Sequence, residues 1–195
     1  MEDLRSAPPP ALRDDDHVRG DTRGELVVLY ADFTCPRCAL AHERLTAVDA
    51  HVVFRHMALR AKDERALPAA CAAEAAAAQG SFWPFADALY ADHGRLDDPH
   101  LWERARRLGL DVERFEADRR GPVAAARVQR DTRAALAAGA TTTPMLFAGG
   151  LVRAGVPDAA YLTGLGYPPR CSDTEDKLEA GGPTDGPARV KDNFI

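Results

Sequence analysis

The stretch Asp32-Phe33-Thr34-Cys35-Pro36-Arg37-Cys38 decides how the rest of this sequence is read. Ahead of it runs Leu26-Val27-Val28-Leu29-Tyr30, apolar and of strand length. Behind it, residues 39–48 place apolar side chains at helical spacing. A strand, a short turn and a Cys-x-x-Cys opening a helix form the setting in which this motif reads as a dithiol–disulfide redox site. Pro36 suits the register, because a first-turn residue has no helical acceptor for its N–H in any case.

The spacing matters for the chemistry. Cysteines three apart share one helical face with Cβ atoms about 5–6 Å apart, so a slight tightening closes a disulfide. Cys35, at the helix start, meets the partial positive charge of unpaired N–H groups, which favours a thiolate. Arg37 adds a permanent cation that is expected to push the same way. Cys38, one turn deeper, is expected to be shielded and to resolve the mixed disulfide that Cys35 forms. Two other readings of the pair are structural thiols and half of a zinc site completed by His42 and His56, although a separated second ligand pair is not evident.

The chain has 195 residues and a formal net charge of −5, which suits one domain and offers no basic surface for nucleic acid or a polybasic membrane anchor. No apolar run approaches the roughly 18 residues of a membrane span. The N-terminus lacks a basic segment followed by an apolar one, and four cysteines in a chain this size do not form a disulfide scaffold. A cytoplasmic location is the expectation. Residues 1–21, with Pro8-Pro9-Pro10 and Asp14-Asp15-Asp16, are expected to form a mobile leader.

A second strand is expected over residues 51–57, rich in β-branched and aromatic side chains. With the first strand and the motif helix it makes a βαβ unit with parallel strands. Residues 62–139 then read as an inserted helical subdomain. Its helices open near Pro68, after Ser81 as a possible cap, at Asp98-Pro99, at Asp111 and at Pro122. Strand signals return at residues 141–148 and 151–154, separated by Gly149-Gly150, a hairpin signal. A last helix follows Pro157-Asp158. The domain is expected to span residues 22–167, and residues 168–195, rich in Gly, Pro and charge, are expected to form a disordered tail.

Thr143-Pro144 heads the returning strand. Proline there either marks a strand start or, in a redox fold of this kind, forms a cis bond beside the motif helix and presents backbone groups to an incoming peptide. Cys71, in an alanine run, reads as a small buried hydrophobe, and Cys171 as an inert thiol in the tail. His42 reads as a solvated helix residue, His56 as a strand-end residue near the sheet edge, and Trp83 and Trp102 as core aromatics.

These residues together resemble the DsbA-like branch of the thioredoxin superfamily, in particular small bacterial domains found alone or fused to sodium/proton antiporters. The likeness is carried by His17-Val18-Arg19-Gly20, the residues 32–38 motif, residues 75–83 and residues 139–147. It implies a thioredoxin-like α/β fold (βαβ plus ββα) with an inserted helical subdomain. It implies a protein-disulfide oxidoreductase with Cys35 attacking, Cys38 resolving, Pro36 and Arg37 tuning the thiol, and Thr143 and Pro144 holding substrate. Substrates would be protein or small-molecule thiols and disulfides, with a further redox partner, and with no cofactor or metal. Pro-Arg replaces the Pro-His or Pro-Tyr common in the family, and Leu29 stands where relatives often carry a glutamate. The rival readings are a glutathione-linked isomerase or transferase of the same fold, which the second cysteine disfavours, and a metal-binding or redox-silent interaction module.

Overall fold

The computed structural model describes residues 5–6, 10–59 and 61–168. The apolar run becomes β3 (Val27–Ala31), after two short strands, β1 (Arg5–Ser6) and β2 (His17–Arg19). The motif helix is α1 (Pro36–Ala47) and the next strand β4 (Val52–His56). The hairpin forms as β5 (Met145–Ala148) and β6 (Leu151–Ala154). Among the described residues the sheet has the order β1-β6-β5-β3-β4-β2. Only β3 and β4 run parallel, as a βαβ crossover requires; the remaining pairs are antiparallel. The hairpin turns at Gly149 and Gly150, both at positive φ (56° and 76°), which suits the right-handed twist of the flanking strands.

The central strand β3 is buried along its whole length, which accounts for its unbroken apolar sequence. Its side chains alternate between two faces. Val27, Leu29 and Ala31 join a core with Phe33, Cys38, Phe54, Phe82, Phe85 and Phe115. Val28 and Tyr30 join a second core with Val53, Met57, Met145 and Phe147.

Among the described residues, five helices lie between β4 and β5: α2 (Ala66–Ala77), α3 (Phe82–Ala91), α4 (Asp98–Arg107), α5 (Val112–Arg120) and α6 (Pro122–Ala137). The alanine run makes α2 the slender centre that packs against α3, α4, α5 and α6. It begins two residues before Pro68, which therefore sits in the first turn, where its missing N–H costs nothing. Asp111 caps α5 by accepting from Arg114 N–H at 3.0 Å, and Asp158 caps α7 (Ala159–Gly164) by accepting from Tyr161 N–H at 2.8 Å. Ser81 occupies the cap position of α3 without making a side-chain cap bond.

The leader expectation needs correcting over residues 5–6, which pair with β6, and over residues 10–21. His17, Val18 and Arg19 pair antiparallel with Phe54, Val53 and Val52, covering an edge of β4 that would otherwise expose its backbone. Arg55, fully buried on β4, requires a counter-charge, and Asp16 supplies it with two bonds of 2.8 and 2.7 Å. Ala11 O accepts a further bond from Arg55 at 2.6 Å. His56 likewise is not near a free edge: it is buried and bonded to Glu74. The tail expected from residue 168 and Cys171 lie outside the described residues, apart from Pro168 itself.

Candidate active site

Strand β3 ends at Ala31 and the chain turns through Asp32, Phe33 and Thr34 into α1. Asp32 holds the turn: its Oδ1 accepts from the N–H and the hydroxyl of Thr34, both at 2.8 Å. Cys35 is the N-cap of α1, with extended backbone (φ −91°, ψ 116°). Its carbonyl accepts from Cys38 N–H at 2.9 Å and Ala39 N–H at 3.2 Å. The N-cap position puts Cys35 at the end of the helix where the first-turn N–H groups lack helical acceptors, although its side chain makes no cap hydrogen bond. Cys35 is half-buried, Cys38 fully buried, and both are free thiols.

This placement separates the two acidities. The Cys35 thiol is lowered to about 5, chiefly by a hydrogen bond from the Cys38 thiol. Burial opposes this, while the Thr143 side chain and backbone N–H groups of Cys38 and Arg37 reinforce it. Cys38 is pushed far up, first by burial and then by its bond to Cys35 and that neighbour's charge. Arg37 thus acts on Cys35 through its backbone. Its guanidinium lies against Gly155, where φ is +93° and an added Cβ would stand 2.4 Å from Nη2. A side chain at position 155 would displace the arginine.

The Thr143–Pro144 bond is cis. The Thr143 carbonyl lies 3.6 Å from Cys35 Sγ and accepts from the thiol. The Pro144 carbonyl accepts from Gly155 N–H at 2.8 Å. Cys35, Cys38, Arg37, Thr143, Pro144 and Gly155 thus meet at one end of the sheet.

Two further groups surround the dithiol. Asp32 is buried, its N–H reaches Cys38 Sγ at 3.5 Å, and burial raises its carboxyl above the ordinary range. Asp32 stands within the motif, yet its position beside Cys38 arises only once the turn folds back on α1. Tyr90, on α3, lies with its ring 4.9 Å from Phe33 and 4.6 Å from His42. Its buried hydroxyl has no hydrogen-bond partner among the described residues. Burial, and next the charges of Cys38, Asp32 and Cys35, push its pKa well up. Nothing in the local sequence marks Tyr90, 52 positions after Cys38.

His42 departs from the solvated reading: it is buried in α1 and lies 2.7 Å from Asp87 Oδ1. The zinc set Cys35, Cys38, His42 and His56 does not assemble. Among the described residues, the group of three with ligand atoms close enough to share an ion is His17, His56 and Glu74. Cys71 is buried in α2 among Ala70, Ala124 and Val128, and burial pushes its thiol up to about 11.

The profile of the DsbA-like thioredoxin domain matches residues 26–165. The chain is 38% identical over 164 residues to the Na(+)/H(+) antiporter NhaA of Herminiimonas arsenicoxydans, covering 80% of this chain and 26% of that protein. It is 41% identical over 150 residues to the Na(+)/H(+) antiporter NhaA 3 of Salinispora tropica, covering 72% and 22%. The chain therefore spans about a quarter of the length of these curated relatives. Among solved structures, a thioredoxin-like oxidoreductase from Silicibacter pomeroyi superposes with a TM-score of 0.70 at 25% identity, covering 78% of this chain and 91% of that one. Pseudomonas aeruginosa DsbA2 superposes at 0.62 and 24% identity, covering 87% and 100%, a likeness of fold. No helix among the described residues is long and apolar enough to cross a membrane. The profile match covers more than half of the chain, and this chain belongs to the DsbA-like thioredoxin domain family.

Proposed function

We propose that this chain is a thiol–disulfide oxidoreductase in which Cys35 attacks and Cys38 resolves. The observation that carries the reading is the asymmetry of the pair: a half-exposed thiol lowered to about 5 beside a buried thiol pushed far up. The thiolate is the nucleophile, so at neutral pH Cys35 is ready and Cys38 is not. Cys35 attacks a substrate disulfide, one substrate sulfur leaves as a thiolate, and a mixed disulfide forms. Cys38 then loses its proton and attacks Cys35 Sγ, releasing the second substrate thiolate. The substrate is reduced, the Cys35–Cys38 bridge forms, and the reverse sequence oxidises a dithiol. A protein or peptide substrate would lie along the edge near Thr143 as an added strand.

The experiment is a trap. Cys38→Ala leaves the mixed disulfide without its neighbouring resolver, whose effective concentration makes the second step fast. Reductant-sensitive complexes are expected on non-reducing gels of Cys38→Ala and are expected to vanish with Cys35→Ala. No complexes with the first variant, or the same ones with the second, would reject the assignment.

A further inference from the structure

His17 on β2, His56 at the end of β4 and Glu74 on α2 meet away from the dithiol. The Nε2 atoms of His17 and His56 each lie 2.7 Å from the same atom, Glu74 Oε1. The three atoms fall within 4.8 Å of one another. Packing fixes both rings independently of the carboxylate. His17 stacks on Phe82 at 3.5 Å, and His56 stands edge-on to Phe54 at 5.3 Å and to Phe33 at 5.9 Å. Glu74, in contrast, is a jointed side chain that can withdraw.

Two imidazole nitrogens converging on one carboxylate oxygen supply the donor set of a three-ligand zinc-type site. We propose that His17, His56 and Glu74 bind a divalent first-row transition-metal ion of the zinc class, with a fourth position open to solvent. An ion about 2.0–2.1 Å from each nitrogen would sit where the two rings now point, with Glu74 drawn back to coordinate it. Both rings would carry their proton on Nδ1 in that state, instead of on the Nε2 that now faces the carboxylate. His17 and Glu74 also line a cavity of about 890 Å³, which gives the ion a route in and supplies its water.

Arg114 and Arg130 line the same cavity, and Arg127 opposes the ion most directly. Arg127 Nε lies 3.1 Å from Glu74 Oε1 and competes for the same carboxylate. Asp15 holds Arg127 as well, with Oδ2 at 2.9 Å from Nη1, so the guanidinium keeps a partner when Glu74 turns to a metal. Removing this competitor is therefore expected to strengthen metal binding, whereas a cluster that serves only to join β2, β4 and α2 gains nothing from it.

The test uses the full chain, oxidised at Cys35–Cys38 so that the dithiol cannot bind metal, and titrated calorimetrically with Zn²⁺. Co²⁺ serves as the spectroscopic probe. One equivalent of zinc is expected, with a cobalt spectrum free of thiolate charge-transfer bands and a melting temperature raised by zinc. His17→Ala and Glu74→Gln are each expected to weaken zinc binding at least about tenfold, and Arg127→Gln to tighten it. His17→Gln, which keeps a polar side chain at this position, gives the same comparison if the alanine variant does not fold. No stoichiometric binding, a thiolate-type cobalt spectrum, affinity unchanged by Glu74→Gln and His17→Gln, or weaker binding by Arg127→Gln would overturn the proposal.

Discussion

At the scale of single residues, the chemistry rests on where two sulfurs stand relative to the first turn of one helix. Cys35 receives hydrogen bonds and Cys38 is cut off from water, so the same functional group titrates in opposite directions three positions apart. Alkylation of the reduced protein is therefore expected to modify Cys35 first at neutral pH, ahead of Cys171, with a rate that is half-maximal near pH 5. Cys38 and Cys71, buried and raised, stay silent. Peptide mapping that finds Cys71 modified first, or a midpoint near the ordinary thiol value of about 8.5, contradicts this. Tyr90 offers a second test. A buried hydroxyl without a partner loses its hydration on folding and gains nothing back. Tyr90→Phe is expected to raise stability by about 1 kcal/mol in urea denaturation; a loss of stability would show that the hydroxyl is paired in solution. These residues also mark what was legible beforehand. Cys35 and Cys38 were readable because Cys-x-x-Cys spacing is a local property. Thr143–Pro144, found cis, was locally open between a strand start and a cis bond and was read from the context of the redox fold. Tyr90 was not readable, because its place beside Cys38 depends on how the inserted helices dock.

At the scale of elements, periodicity and punctuation located the strands and helices well, and the failure lay mainly in residues 10–21. Proline and aspartate there imitate a disordered segment, since composition registers no partner. The partner is Arg55, whose burial is equally unreadable in a strand that looks like an apolar run interrupted by one charge. The pair is fully buried, with side chains of Arg55 and Asp16 each 1% exposed. Removing one member leaves the other uncompensated, so Asp16→Asn is expected to cost about 3–5 kcal/mol. The double variant Asp16→Asn/Arg55→Met is expected to recover much of that loss, because it removes the stranded charge. Burial works to raise the Asp16 carboxyl, but its bonds from Arg55 and from Arg13 N–H hold it below the ordinary range. A depressed carboxylate contributes stability that is present above its unfolded pKa of about 3.9 and lost as pH falls through its folded value. The wild type is therefore expected to lose stability below about pH 4 more steeply than Asp16→Asn. Parallel acid-limb slopes in the two proteins would remove this part of the account.

At the scale of the whole molecule, the insertion and the thioredoxin-like core share one apolar interior. Phe33 beside the dithiol, Phe54 on β4, Phe82 and Phe85 on α3 and Phe115 on α5 belong to a single buried cluster. Phe33 and Phe54 lie 5.2 Å apart, Phe54 and Phe82 5.4 Å, and Phe85 and Phe115 5.4 Å. Neither half can open without exposing rings that the other covers, so the two are expected to unfold as one cooperative unit. The chain contains the means to measure this. Both tryptophans, Trp83 on α3 and Trp102 on α4, lie in the insertion, whereas Cys38 is buried in α1. Tryptophan emission in urea reports the insertion, and pulsed alkylation of Cys38 reports the core. With Cys35 changed to Ala to remove the faster thiol, the two probes are expected to share one midpoint. Phe115→Ala, in the helix that carries no part of the dithiol, is expected to lower both midpoints together at a cost of about 3–5 kcal/mol. A fluorescence transition that precedes exposure of Cys38, in either protein, would show that the insertion opens separately. It would then be a mobile lid on the site instead of part of its foundation.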